Sequence, residues 1–421
     1  MKTPLKSSAY IYLRFTLVLF FLVGLFIGWA GTAQAEYTIV KLTTSANDNR
    51  NPRYTDSGYI AYERFDGDWE ICFMQGLNMP TQITNNTFED INPQVNNGGY
   101  YVWQGYDGSD TEIYRRYGSV TTAITNNFYS DATPQINENG YIAWKGLNGS
   151  NYEIFIYDGS VTTQLTNNVY EDTAPQINDH GHVVWQGYNG LNWQIYLYDG
   201  TATTQISSNN TYKHTSPQIN NNGSIVYLRE EGSSDTEVFL YDGATATTTQ
   251  ITNDSVYHTN PRINENGKIV WQGYDGPDYD IFAYNGNNVI QITNDGYDQV
   301  NPQINDNDYL IWQGYDGSDY EIFLYKGVST IQLINDTYDQ TDPQINNNQE
   351  FIWVGFDGSY DQLYHGEKTP PVVQEFGVGG TAQMADKLSL LAPWLVPFAV
   401  TFLAVLIGFL CYRAKKEDSL R

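Results

Sequence analysis

Cysteine is nearly missing from this chain, with two in 421 residues. Cys72 lies in a strand-like run, Glu70-Ile71-Cys72-Phe73, and Cys411 ends a C-terminal apolar run, so the two are not expected to meet. No disulfide framework holds the fold, and Cys72 reads as a small core residue. Bases are also scarce, 21 against 48 acids, and seven of those bases lie in the two termini. Residues 36–387 hold 46 acids and 14 bases, a formal charge of −32. Such a surface repels nucleic acid and anionic lipid headgroups, which excludes a DNA or RNA partner and keeps an exported protein soluble. The five histidines, His180, His182, His214, His258 and His365, are scattered. His180-Gly181-His182 alone is a weak metal pattern and reads as a solvated turn. There is no Gly-x-Ser-x-Gly elbow and no phosphate-binding glycine loop with a lysine. Catalysis has no residue set to rest on, so no enzyme activity and no resident cofactor are expected. Proline and glycine punctuation leaves the region 36–365 no stretch for a ten-residue helix.

What the chain has in abundance is one phrase, clearest around residues 301–327 and repeated eight times. Its anchoring proline falls at Pro52, Pro93, Pro134, Pro175, Pro217, Pro261, Pro302 and Pro343, spaced by 41 to 44 residues. A period near forty with strand-like content marks an array whose units cannot bury their apolar faces alone. In the unit near Tyr297 four strands are expected: Pro302–Asn305, Tyr309–Gln313, Tyr320–Tyr325 and Thr330–Leu333, separated by turn dipeptides such as Asp316-Gly317. Four antiparallel strands per unit match a propeller blade. The last unit lacks a fourth strand, and Tyr37–Thr43 resembles the fourth-strand run Val161–Thr166. The expected fold class is therefore all-β, an eight-bladed β-propeller of four-stranded blades over 36–365. The N-terminal strand closes it, pairing edges that would otherwise invite aggregation.

Two recurring residue sets suggest sites. One strand position carries Trp103, Trp144, Trp185, Trp271, Trp312 and Trp353, with Tyr62 and Tyr227 in the other units. They offer either aromatic platforms or wedges between blades, and regular recurrence favours wedges. The acidic hairpins Asp107-Gly108-Ser109-Asp110-Thr111-Glu112, Asp275–Asp280 and Asp316–Glu321 place three carboxylates within six residues, so calcium is a possible ligand. Yet the full Asp-x-Asp-x-Asp-Gly arrangement is missing, and Asp-Gly already has a turn role. The unit around Tyr227 breaks the Trp-Gln-Gly pattern, which makes Arg229, Glu230 and Glu231 the candidate binding residues.

The elements Pro134-Gln135-Ile136-Asn137, Ile142-Ala143-Trp144, Glu153-Ile154-Phe155 and Leu165-Thr166 resemble the repeat of TolB-type propellers. The resemblance covers about 37–365. It departs in the Asn-rich turns, such as Asn137-Glu138-Asn139-Gly140, where that family usually has Ser-Pro-Asp-Gly. It implies a propeller fold and an exported setting, and not TolB's own role, because no segment resembles TolB's separate N-terminal domain.

Both ends speak to membranes. Residues 1–35 read as a signal peptide, with Ala33-Gln34-Ala35 as the cleavage pattern; the length of the apolar run leaves an uncleaved anchor open. Residues 366–387 read as a linker, 388–412 as a transmembrane helix, and 413–421, with Arg413, Lys415 and Lys416, as a cytoplasmic tail. The expected molecule is a membrane-tethered, single-pass protein with its head on the extracytoplasmic side, in the periplasm or at the cell surface. Its expected role is binding or scaffolding for a protein or glycan ligand. A carbohydrate-active, lyase-like propeller and a passive surface spacer are the alternatives.

Overall fold

A computed structural model describes residues 36–208, 210–232 and 235–369. The signal peptide, the transmembrane helix, the tail and most of the linker read from the sequence lie outside the described residues. Within them the secondary structure is strand and turn, and no helix is long and apolar enough to cross a membrane. The fold is an all-β propeller.

One repeat illustrates its construction. Gln299–Ile304, Leu310–Tyr315, Tyr320–Tyr325 and Thr330–Gln332 pair antiparallel in chain order. Six such four-stranded sheets are separate, and two more (Lys213–Gln250 and Tyr257–Gln291) are joined by the single parallel pair Thr236–Tyr257. In the sheet of the last repeat the outer strand is Tyr37–Lys41, antiparallel to Asp361–Lys368, with Tyr37 opposite Lys368 and Lys41 opposite Tyr364. That partner strand runs three residues past 365, and the Thr369 N–H donates to Glu36 O at 2.9 Å.

The first strand differs from its sequence reading, because it begins three residues before the proline. It crosses the proline at a bulge: the register shifts between Val300 and Gln303, and likewise in every repeat. A proline has no N–H for the ladder, so a bulge is where a strand can accommodate one. The residue before it is left-handed, with φ between 51° and 56°, although it is Asn, Thr, Ala, Ser or Asp and never Gly. That conformation is uncommon for such residues and needs support. In four repeats the support comes from the preceding repeat, where the glutamine of Trp-Gln-Gly accepts the N–H, and for Asn92 it comes from Glu63 at the same position. Thr133 N–H reaches Gln104 Oε1 at 2.9 Å, Asn301 reaches Gln272 at 2.8 Å, and Asp342 reaches Gln313 at 3.1 Å.

The tryptophans are wedges. All six are at most 1% exposed, and Trp144 stacks on Phe155 with the planes 14° apart. Trp144 packs with Val102 and Ile113 of the repeat before it, so its ring fills the space between two sheets. Each indole N–H finds an acceptor on its own first strand: Asp90, Asp131, Asp172, His258 Nδ1, Gln299 or Gln340, at 2.7–3.0 Å. The glycine of the motif is steric. A Cβ on Gly146 would stand 2.2 Å from Asp131 Oδ1 and 2.9 Å from the Phe155 ring.

The Asn-rich turns tie the sheets together. Asn137 Nδ2 donates to Asn178 O at 2.8 Å, Asn178 to Asn220 O, Asn220 to Asn264 O, Asn264 to Asn305 O and Asn305 to Asn346 O. Asn96 begins the series on Asn137 O, and Asn346 hands its bond to Thr55 O of the first repeat at 3.2 Å. Only the first repeat, with Thr55 at this position, breaks the pattern.

Candidate binding channel

The bulge decides what faces the middle of the molecule. The residue after each proline points into a cavity of about 510 Å³ lined by the first strands. Six of these residues are glutamines, Gln94, Gln135, Gln176, Gln218, Gln303 and Gln344, and two are arginines, Arg53 and Arg262. Asn51, Asn260, Asn301 and Asp342, from the left-handed positions, complete the polar wall.

The arginines are unusual in their setting. Each spends one N–H on the carbonyl of its own proline, Arg53 on Pro52 O at 2.9 Å and Arg262 on Pro261 O at 3.2 Å. Among the described residues neither forms an ion pair, whereas Lys41, Arg50, Lys213, Arg229, Lys268 and Lys326 all do. Burial lowers the basicity of Arg53, opposed by the charges of Asp342 and Glu63. Burial, with Arg53 adding repulsion, pushes Arg262 down to about 10, so Arg262 remains cationic at neutral pH. Burial raises the Asp342 carboxyl, and Arg53 opposes the shift; this side chain opens to the channel but is walled by protein. A guanidinium has five donors in a fixed fork, so most of its capacity for a carboxylate or phosphate is unspent here.

One mouth is rimmed by the turns that follow the first strands. Asp56, Glu138, Asp179, Glu265 and Asp306 each accept or face backbone N–H groups across neighbouring turns, as in Glu138 N–H to Asp179 Oδ1 at 2.9 Å and Glu265 N–H to Asp306 Oδ1 at 2.9 Å. Asp306 lies three positions after Gln303, about 10 Å of extended chain. The channel is thus a cationic and amide-lined interior behind an acidic rim. Among the described residues its wall holds no histidine, and the lyase-like alternative, which needs acids and histidines there, finds no support.

Arg229, Glu230 and Glu231 lie away from this channel, at the end of the strand Ile225–Glu230. The structure brings them together with bases and rings: Arg229 pairs with Glu231 and lies over Phe239 at 4.3 Å, and Lys213 reaches Glu230 at 3.0 Å. The irregularity has a packing counterpart. Both units that carry Tyr instead of Trp also carry Arg instead of the motif's Gly, as Tyr62 with Arg64 and Tyr227 with Arg229. The bulkier side chain accompanies the smaller ring. Arg53 and Arg262 escaped the sequence reading. Aligned repeats would have shown them as two bases at a glutamine position.

No protein-family model matches the chain, and no curated protein matches it. Solved structures resemble it at the level of fold. A dipeptidyl peptidase 4 from Porphyromonas gingivalis is 10% identical, with a TM-score of 0.59, over 77% of this chain and 58% of the other. A structure from a study of two prolyl endopeptidases is 12% identical, with a TM-score of 0.53, over 74% and 55%. The β-propeller domain of the Trilobed protease from Pyrococcus furiosus is also similar at 12% identity, with a TM-score of 0.49, over 69% of this chain and 98% of the other. The chain spans little more than half the length of the first two.

Proposed function

We propose that this chain is a non-enzymatic binding module: an eight-bladed propeller, closed by Tyr37–Lys41, whose channel takes an anionic group of a protein or glycan ligand. In this reading the signal at 1–35 and the span at 388–412 hold the head at the extracytoplasmic face of a membrane, and the TolB-type resemblance agrees with the exported setting alone. The observation that carries the ligand chemistry is the placement of Arg53 and Arg262. A domain of formal charge −32 keeps two guanidinium groups inside a polar channel, neither in an ion pair among the described residues, at a position where six repeats use glutamine. Two half-buried guanidinium groups that repel one another carry a cost, and a bound carboxylate or phosphate would offset it. The glutamine ring adds donors and acceptors for hydroxyls or amides. The peptidase neighbours support the propeller and lend no chemistry.

The test is direct because the chain itself supplies the control. Arg53→Gln with Arg262→Gln copies the residue of the other six repeats, so the melting temperature should hold. Binding to a panel of acidic glycans and acidic peptides should fall at least tenfold, with neutral ligands unaffected. Equal binding by the double variant and the parent would overturn the reading.

A further inference from the structure

In the third repeat one nitrogen serves three oxygens. Asn151 Nδ2 lies 2.7 Å from Glu153 Oε1, 2.6 Å from Tyr170 O and 3.3 Å from Asn168 O. The fourth repeat has the same device, with Asn192 Nδ2 donating to Asn210 O at 2.6 Å. Both asparagines immediately precede the third strand after a Gly turn, and the oxygens come from that strand and from the loop after the fourth strand.

Five other repeats have aspartate at this position: Asp68, Asp110, Asp235, Asp278 and Asp319. The exchange replaces a donor with a further acceptor, and all five leave one carboxylate oxygen buried without a partner. Asp278 Oδ2 and Asp319 Oδ1 are the sharpest cases, since these residues are 5% and 8% exposed. An unpaired buried carboxylate oxygen is costly. The acid two residues on faces the same place. Oxygens of Asp278, Asp280 and Asp295 all lie within 4.8 Å of one another, as do those of Asp107, Asp110 and Glu112. Two oxygens held by one calcium ion at about 2.4 Å stand at most about 4.8 Å apart.

We propose that the four hairpins of Asp68, Asp110, Asp278 and Asp319 are calcium sites, with the ion in the place that the Asn151 amide nitrogen fills in the third repeat. In the sixth repeat the carboxylates of Asp278, Asp280 and Asp295 would be ligands. Asp295 and Tyr297 occupy the positions of Asn168 and Tyr170, whose carbonyls point at Asn151, so main-chain oxygens join the set. An all-oxygen shell of carboxylates and carbonyls suits a hard cation, and its irregular shape suits calcium over magnesium, which demands a small octahedron. The Asp-x-Asp/Glu spacing that falls short of an EF-type loop is completed from a distant loop, which the sequence reading of a single hairpin omits. The competing arrangement is a proton shared between the two carboxyl groups.

The full-length chain, purified in detergent and stripped with a chelator, separates the two. Calcium should return in several equivalents by elemental analysis and raise the melting temperature by several degrees, with equal magnesium giving less. Asp278→Asn with Asp319→Asn copies Asn151, so the chelated variant should melt no lower than the chelated parent. It should bind two fewer calcium ions and show a smaller calcium-dependent rise. A melting temperature unmoved by calcium, an undiminished calcium count in the variant, or stabilisation by mild acid in place of calcium would each overturn the proposal.

Discussion

At the scale of the residue, every letter of Trp-Gln-Gly has a separate cause. The indole fills the gap between sheets, the amide holds the next repeat's left-handed bulge, and the glycine makes room for the indole's own acceptor. That acceptor is Asp, Gln or His in different repeats, and its chemistry sets local pH behaviour. His214 occupies the position in the fifth repeat, 3% exposed and beside Arg229. Burial, reinforced by the Arg229 charge, pushes its pKa down to about 4. An unfolded histidine takes up its proton near 6.5. The unfolded chain therefore binds the extra proton first, so this contribution is present above pH 6.5 and is lost as pH falls towards 4. The loss is on the order of 3 kcal/mol, at about 1.4 kcal/mol for each tenfold change in proton affinity. His214→Gln copies the acceptor of the seventh and eighth repeats, and should flatten the decline in melting temperature between pH 6.5 and 4. A decline as steep as the parent's would assign the acid sensitivity elsewhere.

At the scale of the element, the turns are as informative as the strands. Thr55 is the one residue in its series that cannot pass a side-chain N–H to the next repeat, although its hydroxyl still accepts from Tyr59 N–H at 3.0 Å. Thr55→Asn should supply the missing bond to Asn96 O and stabilise the fold by about 1 kcal/mol, measured by denaturant melts at constant slope. A neutral or negative change would show that the first interface is built differently. Strand type and order were legible in the sequence, since β-branched and aromatic runs between Asp-Gly and Asn-Gly turns leave little choice. The start of the first strand was not legible. Proline reads as a strand boundary, and a left-handed Ala174 or Ser216 carries no sign of its conformation. The channel residues were hidden for the same reason, because the bulge alone decides that Arg53 and Gln303 face inward. For the acidic hairpins the sequence showed the carboxylates. It could not show Asn168 and Tyr170 carbonyls arriving from 17 and 19 residues away.

At the scale of the whole molecule, the pairing of Tyr37–Lys41 with Asp361–Lys368 joins residues more than 320 positions apart. Deleting 37–41 would leave the strand Asp361–Lys368 with an open edge over the cluster that includes Tyr37, Phe351 and Trp353. The deletion should lower the melting temperature and cause light scattering on standing. A synthetic peptide of residues 36–43 should reverse both effects. Unchanged melting by the deleted chain would show that the strand contributes nothing to holding the molecule together.

The series of asparagine bonds runs in one sense only. Seven of the eight repeats carry their own plug, the Asn side chain, and their own socket, the carbonyl of that same residue; the first repeat, with Thr55, keeps the socket alone, and Asn346 on Thr55 O joins the last plug to it. A module that carries both halves of its joint can be duplicated without inventing a new partner. The joint is therefore indifferent to which copy comes first, and it gives a growing gene a simple way to lengthen by whole cassettes. A single copy can then depart from the rest, as the repeats with Arg53 and Arg262 do.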